Sequence, residues 1–146
     1  GLEDKWIFSS AGTGALVGHG VYEHVANELI ERGYNPEGFA SRQLNEQIIE
    51  NATIILVAEK VHADWIVREW PQHHAKIKLL KQAARIREDA RRAEPLSYLY
   101  AYGARPLDSD KLEDPYRRGP AAAKVAVDEV EQSLRVILPW LAQAHR

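Results

Sequence analysis

The chain has 146 residues, 45% of them apolar and 27% charged, which suits one soluble domain with a sizeable core. A formal net charge of −2 gives no reason to expect nucleic acid as partner, and no apolar run approaches the roughly 20 residues that cross a bilayer. Cysteine is absent, which excludes disulfides, zinc–thiolate sites and thiol chemistry within the sequence as it stands.

Lys5 to Phe8 is a strand candidate, ended by the small-residue stretch 9–14. From Val21 to Arg32, apolar Tyr22, Val25, Ala26, Leu29 and Ile30 recur at helical spacing, with Gly33 where a helix C-cap belongs. Pro36 and Gly38 mark a turn, and a short helix is predicted over Asn45 to Glu50. Thr53 to Ala58 is an unbroken, β-branched apolar run, the pattern of a parallel strand buried on both faces. Val61, Trp65, Ile66 and Glu69 lie on a helix that must stop near Trp70, because Pro71 disfavours helix in the residue before it. Ile77, Leu79 and Leu80 form another strand candidate. Lys81 to Arg92 is helical in propensity and mixed in charge, which predicts a solvated face, ended by Pro95. Tyr98, Tyr100 and Tyr102 precede a polar region that runs to Asp110. In the last helix Pro120 occupies a first-turn position, Val127, Val130, Leu134, Ile137 and Leu141 make one apolar stripe, and Pro139 is expected to kink or fray the end. Strands alternating with helices predict an α/β fold, layered α/β/α around a short parallel sheet, in a single domain over 1–146.

Four groups of residues could carry chemistry. Gly12, Gly14 and Gly18 are spaced G-x-G-x-x-x-G, one residue too long for a dinucleotide fingerprint and without the Lys-Ser/Thr of a nucleotide loop, so a surface loop is expected. His19 and His24 lie five apart and His73 and His74 are adjacent, and neither spacing puts two imidazoles on one helical face. No metal and no cofactor is therefore expected. Trp65 and Trp70 are at a spacing that suits core packing better than ligand stacking. Asp114-Pro115-Tyr116 sets a carboxylate in an extended or turn conformation with an aromatic two residues on.

Taken together, several segments resemble the low-molecular-weight protein tyrosine phosphatases. Trp6 to Thr13 is similar to that family's second strand and following loop. Ala40-Ser41-Arg42-Gln43-Leu44 resembles its A-R-Q-L turn, and Ile54 to Glu59 its central strand. Lys76 to Leu80 matches its next strand, Asp114-Pro115-Tyr116 the D-P-Y of its acid loop, and Pro120 to Trp140 its last helix. The segments occur in family order across nearly the whole chain.

The resemblance implies a mechanism and its residues. A cysteine thiolate in a C-x5-R loop attacks phosphorus, backbone N–H groups and the arginine of that loop hold the phosphoryl oxygens, and the D-P-Y aspartate protonates the departing phenolate. Asp114 is the counterpart of that acid. Tyr116 and Leu16 correspond to residues lining the substrate cleft, and Ser10 to a serine that braces the phosphate loop. The implied partner is a phosphotyrosine protein or another aryl phosphate.

The C-x5-R loop itself, with the family's first strand, belongs before Leu2. The expectation is thus an N-terminally truncated, bacterial-type cytoplasmic phosphatase domain, inactive as written for want of its nucleophile; the alternative is a non-catalytic binding or regulatory relative. Loss of a strand that lies between two others further predicts a retained upstream piece, strand exchange between copies forming a homo-oligomer, or rearranged pairing.

Overall fold

The computed structural model describes residues 6–14, 17–90, 95, 97–101 and 105–143. Its first helix, α1 (Glu23–Glu31), ends as the glycine signal requires. Gly33 takes φ +86°, its N–H reaches Ile30 O at 3.0 Å, and Tyr34 N reaches Leu29 O at 2.9 Å. Those two bonds satisfy carbonyls that the helix end would leave bare. The short helix α2 (Glu46–Asn51) starts at Asn45, whose side-chain oxygen accepts from Ile48 N at 3.0 Å.

Strand β1 (Ile55–Val57) is followed by α3 (Lys60–Glu69), which stops at Trp70 before a 3-10 turn over Pro71–Lys76. Strand β2 (Ile77–Leu79) then pairs parallel to β1, with Ile55 opposite Ile77, Leu56 opposite Lys78 and Val57 opposite Leu79. Next come α4 (Leu80–Asp89), α5 (Ser97–Ala101), a 3-10 turn at Asp108–Asp110 and the long α6 (Gly119–Gln143).

Period-two alternation divides the core between the two faces of this sheet. Ile55, Val57 and Ile77 pack with Ile49 of α2 and Ile66 of α3, and the Trp65 and Trp70 rings join that cluster edge to face at 5.7 Å. Ile54 and Ala58 face the larger cluster, built from Ile86 of α4, Leu99 of α5, and Ile137, Trp140 and Leu141 of α6. Helices therefore cover both sides of a parallel sheet, the expected α/β arrangement.

Several expectations need correction. Residues 6–8 form no strand: Ile7 is 96% exposed and Phe8 58% exposed, because no neighbouring strand reaches their edge among the described residues. The Thr53–Ala58 run is not buried on both faces, since Leu56 at its centre is 37% exposed. Helix α4 is no solvated helix. Leu80, Gln82, Ala83, Ala84 and Ile86 are all buried, and Gln82 is reconciled with the core by accepting Leu79 N at 3.1 Å. The tyrosine stretch contains the unpredicted α5, although Tyr102 lies outside the described residues, as do 91 and 92 at the predicted end of α4. Finally, α6 does not fray at Pro139 but runs on to Gln143, because burial of Trp140 and Leu141 outweighs the missing backbone bond.

Candidate active site

The acid-loop residues sit on a turn anchored to the sheet. Leu112, 8% exposed, donates its N–H to Ala58 O at 2.9 Å, so the segment leaves the core beside the end of β1. Two residues on, Asp114 Oδ1 accepts from Tyr116 N at 3.0 Å, the short-range bond an aspartate makes when its side chain closes a turn. Arg118 N then bonds Pro115 O at 3.0 Å, and Arg117 adopts φ 60°, reversing the chain into α6.

This turn holds the two functional groups in one locality. Asp114 is exposed and forms no ion pair among the described residues. The neighbouring acids are neutralised: Glu113 lies near Lys111 and Arg118, and Glu59 meets Lys111 at 3.1 Å. Tyr116 is fixed by its ring, which meets the Tyr22 ring edge to face at 5.1 Å with the Arg117 guanidinium 5.0 Å from its centre.

Asp114 opens onto an apolar groove of about 810 Å³. Val25 and Leu29 of α1 form one wall, Val130, Leu134 and Leu138 of α6 the other, and Ala58 and Leu112 close the end. Helices α1 and α6 are riveted together by Arg32, whose guanidinium reaches Glu28 and Asp128 at 2.7 Å and Glu131 at 3.2 Å. A volume of this size and lining is what ligand sites provide.

The other expected site residues are placed less closely. Ser10 is exposed, and its carbonyl is engaged: Arg42 Nη2 and Nε donate to it at 3.0 and 3.2 Å. That brace continues in Gly12 N to Arg42 O at 2.8 Å, Leu44 N to Gly12 O at 2.9 Å and Gln43 Nε2 to Thr13 O at 2.9 Å, fixing the glycine loop against residues 42–44. Leu16 lies outside the described residues. Sequence reading missed Tyr22 and Arg42 as positioning residues; Arg42 was visible inside its motif, whereas Tyr22 carried no signal beyond the periodicity of α1. Among the described residues no three His, Cys, Asp or Glu side chains gather as metal ligands.

Residues 1–98 match the family model for low molecular weight phosphotyrosine protein phosphatase. The chain belongs to this family. The low molecular weight protein-tyrosine-phosphatase Wzb of Escherichia coli strain K12 is 33% identical over 70 residues, covering 48% of this chain and 48% of the relative. The match thus spans about half the length of that curated relative. Among solved structures, the tyrosine phosphatase Wzb from Escherichia coli K30, in complex with sulphate, aligns with a TM-score of 0.73 at 22% identity, covering 97% of this chain and 81% of the other. The YwlE arginine phosphatase from Geobacillus stearothermophilus aligns at 0.72 and 24%, covering 97% and 80%. At these identities the structural matches establish the fold. The family match ends at residue 98, before Asp114-Pro115-Tyr116.

Proposed function

We propose that this chain supplies the acid half of a phosphotyrosine phosphatase site, with Asp114 as the proton donor to the departing phenolate. The observation that carries this reading is the setting of Asp114, an exposed carboxylate without an ion pair among the described residues, beside an apolar groove and one turn from a fixed aromatic ring. In the step proposed, a thiolate supplied by a C-x5-R segment outside this sequence forms an S–P bond as the P–O bond to the aryl group breaks. The electron pair of that P–O bond goes to the phenolate oxygen, and protonated Asp114 delivers a proton there. Tyr116 flanks the substrate ring. Ser10, in the loop braced by Arg42, supports the phosphate cradle, and Leu16 lines the cleft beside it.

The covalent step requires a thiolate that this sequence does not contain, so the chain by itself is inactive toward aryl phosphates. Two measurements test the reading. The chain alone should not turn over an aryl phosphate. Extended at its N-terminus by a family C-x5-R segment, it should gain activity that Asp114→Asn lowers by about 10²–10⁴-fold in kcat. An extended protein indifferent to that substitution sinks the acid assignment. Aryl phosphonate binding by the unextended chain, with no turnover in the extended one, would favour a non-catalytic binding module instead.

A further inference from the structure

A second cavity, of about 340 Å³, shares no lining residue with the groove beside Asp114. It lies between α3 and β2, and its lining comes from residues 60–106. Ile77, Lys78 and Leu79 all contribute to it. Successive strand residues face opposite ways, so three in a row can line one cavity only where it wraps the edge of the strand. The other edge of β2 carries β1, so the cavity wraps the edge that faces away from β1.

Its lining is of two kinds. Ala63 and Val67, one turn apart on α3, join the buried Ile77 and Leu79 in an apolar wall. Lys60, Arg68 and Lys78 bring three cations, against the single carboxylate of Asp64. Lys60 is committed to Asp64, which it meets at 2.7 Å. Arg68 and Lys78 form no ion pair among the described residues. Arg68 is exposed and stands at the rim, whereas Lys78 is half-buried, where an ammonium without a counter-ion opposes folding.

We propose that this cavity binds a small organic carboxylate, its anionic head held by Arg68 and Lys78 and its apolar body against Ala63, Val67, Ile77 and Leu79. The planar guanidinium of Arg68 can take both oxygens of a carboxylate at once, and Lys78 adds a point charge beside it. Asp64 in the same lining repels a second negative charge, so a doubly charged phosphate is the poorer guest. The volume is near the lower end of what ligand sites provide, and it suits a single ring or a short chain. A bound carboxylate gives Lys78 the counter-ion that the fold does not, so the guest stabilises the folded chain by mass action. No phosphate chemistry is involved, and the site stands or falls separately from the assignment of Asp114.

Titration of the isotope-labelled chain with sodium benzoate, at constant ionic strength and followed by amide chemical shifts, tests this. The expected result is saturable shifts at Ala63, Val67 and residues 77–79, with a rise in melting temperature. Benzamide has the ring without the charge and inorganic phosphate the charge without the ring, and each should bind about tenfold or more weakly. Arg68→Gln and Lys78→Met should each raise the benzoate dissociation constant by about tenfold. Both variants should fold, since Arg68 is exposed and Lys78→Met removes a charge that the fold tolerates poorly. Absence of saturable shifts at these amides overturns the proposal. Benzamide or phosphate binding as tightly as benzoate does so too, as does benzoate binding indifferent to either substitution.

Discussion

Arg85 holds Asp110 through two hydrogen bonds, Nε to Oδ1 at 3.1 Å and Nη2 to Oδ2 at 2.8 Å, at a residue only 3% exposed. Leu107 N adds a third bond to Oδ2 at 2.7 Å. The pair fastens α4 to the segment leading into Asp114. Burial alone would raise the Asp110 carboxyl, but the Arg85 bonds, the Leu107 N–H and the charges of Arg85 and Lys81 outweigh it and hold the carboxyl below its usual range.

A folded-state pKa below the unfolded value of about 3.9 means stability that is present above that pH and lost as pH falls through the folded value. Acid unfolding should therefore steepen below about pH 4, and Asp110→Asn should flatten that slope while lowering stability at pH 7. Arg85→Ala leaves a buried carboxylate unpaired and should cost about 3–5 kcal/mol by denaturant unfolding. An Arg85→Ala protein as stable as wild type would show that the pair does not fasten α4 to this segment.

The Arg32 hub predicts a local effect. Replacing Arg32 by Gln leaves Glu28, Asp128 and Glu131 facing one another across the α1–α6 junction. Amide exchange in α1 should quicken, and added salt should narrow the gap between variant and wild type. Unchanged protection in α1 would mean that apolar contacts alone hold the groove walls together.

Helix ends were the most legible part of the fold, because their causes are local. Gly33, Asn45 and Pro71 each act on backbone groups within four residues, so the limits of α1, α2 and α3 could be read from neighbours in sequence. What failed depends on distant partners. Trp6-Ile7-Phe8 has strand composition, yet a strand exists only beside another strand. Ala83 and Ala84 sit in a charged, helix-prone stretch, and nothing nearby signals that Trp140 and Ile137 will cover that face. At the site, Asp114-Pro115-Tyr116 stood out through its family resemblance, whereas the Tyr22 ring against Tyr116 is a tertiary contact that no spacing rule foretells.

Pro139 illustrates how packing overrides a local breaker. It is exposed inside α6 and supplies no N–H toward Arg135 O, yet the helix continues. Pro139→Ala restores that bond at a position with room for the smaller side chain. Stability should rise by about 1–3 kcal/mol in denaturant unfolding. No gain would indicate that the helix bends at 139 to seat Trp140.

Lys78 is the reverse case, a charge held where the fold tolerates it poorly. It stands half-buried opposite Leu56 across the strand pair, without an ion pair among the described residues, and burial pushes its ammonium below the ordinary lysine value. The protonated form is then favoured more in the unfolded chain than in the folded one. Below the folded pKa this charge opposes folding, and the opposition fades as pH rises through the folded value toward the unfolded value of about 10.4. Lys78→Met keeps the aliphatic stem and removes the charge. It should raise the melting temperature at pH 7 and abolish the part of the alkaline stability gain that belongs to Lys78. Should Lys78→Met melt lower than wild type, the ammonium must be solvated in the folded chain, and the face it shares with Leu56 would be wetter than the neighbours Ile54 and Ala58 imply.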